Sequence, residues 1–405
     1  MKYINRLLKY IRGSRLLILF MTIIITVVIF VGVISFAHIN EALLEFRIVK
    51  STTLNNAYYY ARTIAYSDLI DKNMEQKMQD MFFSVKNNPI VEEAYTTVVA
   101  NFFKYEGEIY SIMLYDPGLL KAFPALEKLG IRFSGEENEC VLTTRNFKGL
   151  KVGDIFIAEL YSGGEASSVS LKVSSHLVSP YKQLEFGGSG TYLLAGDMFS
   201  NNPGIIMVAD EDTLENLKSS VDIKYYPDIL FTVKENATKG EIDSLISNLS
   251  LEGTVESLDE IIDNTKREIK NSFIHSFIKP GAYLLASLFA LFSMIILMVK
   301  RKAPEMAVAY LVGASRRSIV AQSLGVCMLV TVIPAAVNIV FIISAPELSW
   351  LDAFWGAGIA DIYMPPGLAW MVVAYFILVA IISVAAVTVS LAGKAPVDYY
   401  RGSTL

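Results

Sequence analysis

Four long apolar runs punctuate the chain, and the stretch between the first and the second alternates apolar and polar positions at short range. The runs cover residues 16–37, 281–299, 319–344 and 367–393, and none contains Asp, Glu, Lys or Arg. A helix that crosses a bilayer core takes about 20 such residues, so each run is predicted to be a membrane span. Buried helices of a large soluble protein fit poorly, since they rarely run so far without a charge. Ser35-Phe36-Ala37 has small residues spaced as at a signal-cleavage site. A signal core is only about 7–15 residues long, however, so the first run reads as an uncleaved anchor. Ahead of it, Ile4, Leu7, Leu8 and Ile11 share one helical face opposite Lys and Arg. That pattern predicts an amphipathic helix over residues 1–15 lying at the membrane surface.

Residues 38–279 are predicted to form a large α+β domain, with enough chain to bury a core of its own, in two lobes. Helix should continue from Phe36 to about Val49, and Asp68 to Lys86 reads as a surface helix. Period-two or β-branched runs predict strands at 94–103, 108–115, 139–144, 152–161, 168–178, 191–195, 204–209 and 229–234. Turn signals separate them at Asp116-Pro117-Gly118, Ser162-Gly163-Gly164, Phe186-Gly187-Gly188-Ser189-Gly190 and Asn201-Asn202-Pro203-Gly204. Thr238-Lys239-Gly240-Glu241 and Ser257-Leu258-Asp259-Glu260 are capping boxes, each opening a helix. The second helix is expected to run into the second span, bending at Pro280. Two helical stems of about 20 residues would hold the lobes roughly 30 Å from the bilayer.

Charge gives the orientation. Lys2, Arg6, Lys9, Arg12 and Arg15 precede the first span without an acid among them. Lys300, Arg301, Lys302, Arg316 and Arg317 flank the loop 300–317 against the single Glu305, and the tail 394–405 carries Lys394 and Arg401 against Asp398. The loop 345–366 holds Glu347, Asp352 and Asp361 and no base. Basic loops stay in the cytosol, so both terminal segments are expected there and residues 38–279 outside. That domain carries 23 Lys+Arg and 35 Asp+Glu, a charge of −12, while the rest of the chain carries +7. An acidic external domain argues against a nucleic-acid partner, and a basic inner face suits anionic lipid. Trp350, Trp355 and Trp370 cluster in or beside the loop 345–366, where indole rings would settle at the outer headgroups.

Little points to catalysis. No G-x-x-x-x-G-K-[ST] phosphate loop occurs, and the Gly187-Gly188-Ser189-Gly190 cluster lacks the lysine and reads as a turn. His38, His176 and His275 lack metal-ligand spacing. The acidic groups Glu136-Glu137-Glu139 and Asp210-Glu211-Asp212 lack the pattern of a calcium loop, and Asp212 with Glu215 more simply caps a short helix. Cys140 is the only cysteine between the first two spans, so no internal disulfide can tie that domain. Within the spans the polar inventory is hydroxyls plus Gln322 and Asn338, without the ionisable groups an ion-coupled carrier uses. Ala282, Ala286 and Ala290 form a small-residue stripe on the second span, as do Ala321 and Gly325 on the third; ordinary alanine content explains them equally well.

The loop 300–317 is long enough for one helix of about two turns along the membrane surface. Pro304 suits a first helical position, Glu305 favours the positive end of the dipole, and Gly313 is placed to end the helix. Met306, Val308, Ala309 and Leu311 give it apolar surface. It reads either as a plain connector held on lipid or as a helix that fits a groove on a cytosolic ATPase.

Here the sequence resembles the FtsX/MacB-type ABC transporter permeases. Glu305, Leu311 and Gly313-Ala314-Ser315 match the family's E-I-G-x-x-[RK]-A-[LI]-G-A-[ST] segment, and Pro396-Val397-Asp398-Tyr399-Tyr400-Arg401 is similar to its closing P-x-x-x-[LY]-R. Cys140-Val141-Leu142 followed by Leu150-Lys151-Val152-Gly153-Asp154 resembles the strand and K-x-G-D passage of MacB-like external domains. Tyr310 stands where the family has Arg or Lys, and Lys394 is the single base where it often has several. The resemblance implies an α-helical membrane protein with four transmembrane helices, one plus three, and a large α+β extracytoplasmic domain on helical stalks. It further implies a non-catalytic permease subunit of the bacterial cytoplasmic membrane. Such a subunit would pair with a second permease copy or paralogue and with two copies of a cytosolic ATPase that holds ATP and Mg; this chain would bind no cofactor itself. ATPase docking would fall to Pro304, Glu305, Met306, Ala307, Val308, Leu311, Gly313, Ala314 and Ser315, and membrane-interface contacts to Arg316, Arg317, Trp350, Trp355 and Trp370. Movement of the external domain would export a peptide, lipoprotein or antimicrobial, with or without an external adaptor. An FtsX-like regulator of a cell-wall hydrolase and a motor-independent receptor for an external ligand are the alternatives.

Overall fold

The computed structural model describes residues 15–63, 73–135, 138–143, 147, 149–162, 165–177, 183–186, 193–200, 204–209, 214, 223–301, 303–344 and 367–391. The chain divides into two compact units. Among the described residues, a helical unit takes everything up to Ile39 and from Ser272 onward, and an α/β unit takes Asn40–Asn271.

Helix α1 (Arg15–Lys50) contributes to both units, as the sequence predicts for a first run continuing to about Val49. In the α/β unit, β1 (Ala57–Arg62), α2 (Met74–Lys86) and β2 (Val91–Tyr95) form a split βαβ unit. A long insertion follows, and the chain returns through β12 (Ile229–Val233), α4 (Lys239–Leu249) and β13 (Gly253–Ser257). These strands form one antiparallel sheet in the order β13-β1-β12-β2, the arrangement of a ferredoxin-like βαββαβ fold. Both faces of this sheet are covered. Tyr60, Phe231, Ile229 and Val233 share a core with Phe82 and Val85 of α2 and Leu245 and Leu249 of α4. Tyr59, Ala61 and Leu230 share the opposite core with Ile48 and Val49 of α1. The capping box at Thr238 forms as predicted: its hydroxyl accepts the Glu241 N–H, and the Glu241 carboxylate accepts the Thr238 N–H at 2.9 Å.

The insertion builds the second sheet. It contains β3 (Val98–Tyr105), β4 (Glu108–Tyr115), a short helix α3 (Pro117–Ala122), β5 (Glu139–Leu142), β6 (Ile155–Ser162) and β7 (Glu165–His176). A small ribbon of β8 (Gln183–Leu184) and β9 (Phe199–Ser200) follows, then β10 (Gly204–Val208) and β11 (Ile223–Tyr225). The order is β11-β3-β4-β10-β5-β7-β6, and β6 pairs back onto β3, closing six strands into a ring. A register shift between Ala100 and Phe103 lets β3 serve two partners: Ala100 pairs with Ile223 of β11, while Phe103 pairs with Leu160 of β6. Four aromatic rings fill the interior. Phe103 stacks on Phe147 at 6.1 Å, Tyr110 lies 4.4 Å from Phe147, and Phe156 lies 6.3 Å from Phe103. The K-x-G-D passage is a tight turn: Asp154 N–H donates to the Lys151 carbonyl at 3.0 Å, its carboxylate accepts the Lys151 N–H at 2.8 Å, and Gly153 takes φ 94°.

Several strand expectations need correction. The run 94–103 is two strands, broken at Thr96-Thr97 where the chain leaves the first sheet for the second. Of the strand expected at 191–195, the described part instead leads into a 3-10 turn, Ala195–Met198, because the Asp197 carboxylate accepts the Leu194 N–H at 2.8 Å and tightens the chain. The expected helix from Asp68 is described from Met74 onward.

Helix α5 (Leu258–Arg301) starts beside Ser257, whose hydroxyl accepts the Glu260 N–H at 3.2 Å, and continues through Pro280. It is followed by α6 (Ala303–Leu311), α7 (Arg316–Ser344) and α8 (Leu368–Leu391). Where four spans are expected, two helices among the described residues, Ile18–Lys50 and Leu368–Val389, are long and apolar enough to cross a membrane. The third expected run contributes a shorter apolar stretch, Thr331–Ser344, and the second lies within α5. The helical unit is turned inside out. Leu19, Phe20, Phe289, Ile343 and Ile381 are exposed, whereas Ser287, Ser323, Thr331, Asn338 and Ser383 are buried. All of these buried groups except the Ser323 hydroxyl bind other helices or their own helix's carbonyls: Asn338 donates to the Pro334 carbonyl at 2.9 Å and reaches the Thr26 carbonyl of α1 at 3.4 Å, and the Ser287 and Tyr375 hydroxyls meet at 3.1 Å.

One glycine tests the ring. At Gly204, where β10 starts, an added Cβ would come within 2.1 Å of the Ser111 carbonyl oxygen, and Thr143 bonds both its N–H and its carbonyl. Gly204→Val is expected to destabilise the α/β unit by about 2–3 kcal/mol, the cost of forcing bulk into a packed site. Near-ultraviolet circular dichroism of the tyrosines during denaturant unfolding measures it, and an unshifted midpoint would contradict the close packing at this position.

Candidate functional site

The sequence places its candidate site on α6 and the turn after it. Gly313 adopts φ 94°, the left-handed conformation that ends a helix, and the Ala314 N–H reaches back to the Ala309 carbonyl at 2.8 Å in a Schellman-type closure. Ser315 then caps α7, its carbonyl accepting the Ser318 N–H at 3.0 Å and its hydroxyl the same N–H at 3.3 Å. Arg316 therefore opens α7, with Arg317 exposed beside it. Pro304 and Glu305 lie in the first turn of α6, Glu305 exposed. The apolar residues expected to dock separate onto two faces: Met306 and Ala307 are 5% and 2% exposed, whereas Val308 and Leu311 are 53% and 81% exposed, as is the neighbouring Val312 at 82%. Met306 and Ala307 therefore anchor α6, and the outward face belongs to Glu305, Val308 and Leu311. Gly313 and Ser315 are exposed and Ala314 is half-buried. Trp370 is exposed at the start of α8; Trp350, Trp355, the amphipathic stretch 1–14 and the motif around Pro396 lie outside the described residues.

A second arrangement has no counterpart in the sequence reading. Because the second sheet is inserted between β2 and β12, two crossovers join the sheets, at Thr96-Thr97 and at Tyr226–Asp228. They are stitched together. The Thr96 hydroxyl donates to the Asp228 carbonyl at 2.8 Å, with the Tyr226 carbonyl at 3.2 Å as its alternative acceptor. The Tyr226 N–H donates to the Thr97 carbonyl at 2.9 Å, and the Thr97 hydroxyl accepts the Phe186 N–H at 2.8 Å. The buried Asp228 carboxylate accepts the Tyr59 hydroxyl at 2.9 Å and the Arg62 N–H at 3.0 Å, which ties the return crossover to β1. The Arg62 guanidinium in turn pairs with Glu252 at 3.1 Å. Burial pushes the Tyr60 phenol up to about 12, against the lowering pull of Arg62 and with a further push from Glu252 and Asp228. The signal available in the sequence was Pro227-Asp228, a turn pair just before a strand; the β-branched Thr96-Thr97 hid the other crossover.

No group of three or more His, Cys, Asp or Glu among the described residues is placed to hold a metal ion. Burial, with the neighbouring Glu139 carboxylate, pushes the Cys140 thiol up to about 12, so it stays protonated and poorly nucleophilic at neutral pH. Glu139 is itself buried, with the N–H groups of Ser134 and Gly135 donating to its carboxylate at 2.6 and 3.1 Å.

No family model and no curated protein matches the chain. Among solved structures it is similar to the periplasmic region of MacB from Actinobacillus actinomycetemcomitans, at 9% identity and a TM-score of 0.29, with 54% of this chain and 94% of that one covered. It is also similar to the extracellular domain of the noncanonic ABC-type transporter YknZ from Gram-positive bacteria, at 13% identity and a TM-score of 0.26, with 50% of this chain and 100% of that one covered.

The stitched crossovers carry a test. Thr96→Val leaves buried carbonyls without their donor and is expected to cost about 1–3 kcal/mol. Amide hydrogen exchange at residues 223–230 should accelerate in Thr96→Val and stay as in the parent in Thr96→Ser, which keeps the hydroxyl; equal exchange in all three would remove Thr96 from this role.

Proposed function

We propose that the chain is the membrane subunit of an ABC-type system and couples ATP hydrolysis on a separate cytosolic ATPase to movement of its own α/β unit outside the cytoplasm. The observation that carries this reading is α6, a short helix between two long ones that buries Met306 and Ala307 yet exposes Val308 and Leu311 beside Glu305. Apolar side chains left in that position need a cover, and the segment is the one whose sequence resembles the coupling element of FtsX/MacB-type permeases. The inside-out helical unit supports placement in lipid. Buried Ser, Thr and Asn with exposed Leu, Phe and Ile is the reverse of a water-facing surface and suits spans whose polar groups must be satisfied by their neighbours.

In this reading α1, α5, α7 and α8 are the four spans, and the basic side, with α6 and the tail, faces the cytosol. The acidic α/β unit stands outside. ATP and Mg sit on two copies of the ATPase, and a second permease copy or a paralogue completes the membrane dimer. Nucleotide-driven closure of the ATPases would push on α6. Since α5 and α1 contribute residues to both units, their displacement would reach the first sheet directly and the strand ring through the two crossovers. A peptide, lipoprotein or antimicrobial outside the cytoplasm is the substrate class this movement would serve, without a polar path through the spans.

The test is pull-down of a cytosolic ABC-type ATPase from the native host by the tagged chain. A chain carrying both Val308→Arg and Leu311→Arg is expected to recover the ATPase at least about tenfold less well, equivalent to about 1.4 kcal/mol, and Glu305→Arg to weaken it in the same direction. Met306→Leu, on the buried side, is expected to leave recovery unchanged. Undiminished recovery by the double variant would overturn the docking role of α6.

A further inference from the structure

A cavity of about 230 Å³ lies within the α/β unit beside the crossovers, where the end of α2 meets β2, β3, β4 and β11. Four of its twelve lining residues are aromatic. The Tyr225 ring stands 5.6 Å from Phe82 and 5.9 Å from Phe83, and Phe82 meets Phe83 edge-on at 5.5 Å. Tyr95, with its hydroxyl donated to Glu93 at 2.6 Å, also lines it, as do Ala94 and Thr96. Two charges reach the cavity. The Lys86 ammonium stands over the Phe82 ring, 6.0 Å from its centroid, on a half-buried side chain in the last turn of α2. The Asp116 carboxylate is engaged as the cap of α3, accepting the Gly118 N–H at 2.6 Å.

We propose that this cavity binds a small amphipathic monocarboxylate, one aromatic or branched apolar group bearing a single negative charge. The volume falls below the roughly 300–1,000 Å³ of pockets for drug-sized ligands, so it accepts one ring-sized body and excludes a folded segment. Aromatic walls favour a planar ring by stacked or edge-on contact. Lys86 supplies the cation for one carboxylate, and Asp116, which also lines the cavity, disfavours a second negative charge. The bound ligand touches Phe82 and Phe83 of the first sheet's helix and Tyr225 and Val98 of the second sheet, together with Thr96 of the crossover itself. Occupation therefore pins the two sheets against each other at the place where the chain passes between them. The proposal does not rest on the transporter reading, because every residue it uses belongs to the α/β unit.

The full chain in lipid nanodiscs, titrated calorimetrically with indole-3-acetate and with its neutral analogue indole-3-acetamide, tests this after subtraction of empty nanodiscs. The carboxylate is expected to bind at least about tenfold more tightly than the amide, the contribution of one charge-assisted hydrogen bond. Lys86→Gln should reduce carboxylate binding to the level of the amide, and Ala94→Leu should abolish both by filling the cavity. Lys86→Gln alters a half-buried side chain at a helix end, so it stays informative if Ala94→Leu fails to fold. Bound carboxylate should also slow hydrogen exchange at residues 95–98 and 225–229. Absence of saturable binding, equal affinity for acid and amide, or carboxylate binding unaffected by Lys86→Gln would each overturn the site, and unchanged exchange in the bound state would overturn the pinning.

Discussion

Where α1, α5, α7 and α8 turn apolar side chains outward, the hydroxyl and amide groups buried among them gain most by bonding inside the helical unit, and among the described residues all but the Ser323 hydroxyl do so. The rest of the account depends on that constraint. It explains why Thr22 and Thr26 turn their hydroxyls back onto carbonyls four residues earlier, and why Ser383 does the same on α8. It explains the reach of Asn338 across to Thr26, next to the edge-on contact of Phe30 and Phe341 at 4.8 Å between the same two helices. The Asn338 side-chain amide also donates to the Pro334 carbonyl one turn earlier on α7.

The α/β unit solves a different problem by the ordinary means of a water-soluble fold. Its sheets bury tyrosine and phenylalanine on both sides, and among the described residues its buried charges are few. Asp228 is the most consequential of them: placing a carboxylate in the interior is costly unless donors meet it, and Tyr59 and the Arg62 backbone do so. A buried carboxylate at a crossover fixes the path of the chain there, because any rotation of the strand ring that strains the Tyr226–Asp228 segment has to break those bonds. The interlobe junction is thereby built as a defined joint, with an aromatic cavity alongside it.

How much of this was legible in the sequence follows from the range of the interactions. The apolar runs, the continuation of α1 past the first run, the capping box at Thr238 and the arrest of α6 at Gly313 are local, decided by residues within a turn or two of one another. The Lys151-Val152-Gly153-Asp154 turn is local as well. By contrast, β1 reads Ala-Tyr-Tyr-Tyr-Ala-Arg, with no alternation to find, because the first sheet is covered on both faces and every second residue is as buried as its neighbours. The half-buried β13 gives no pattern either. Ring closure between β3 and β6 and the stitching of Thr96 to Asp228 join residues more than 50 and more than 130 positions apart, and such pairings leave no short-range trace. On α6 the apolar content was visible, but which side faces outward was decided by packing.

Sidedness is the most direct test. In a chain lacking Cys140 and Cys327, single cysteines are introduced by Ser168→Cys on β7 and Ser318→Cys at the start of α7, both at exposed positions. Intact cells are then treated with a membrane-impermeant maleimide. The account predicts labelling at position 168 before lysis and at position 318 only after it; labelling of both from the same side of the membrane would contradict it.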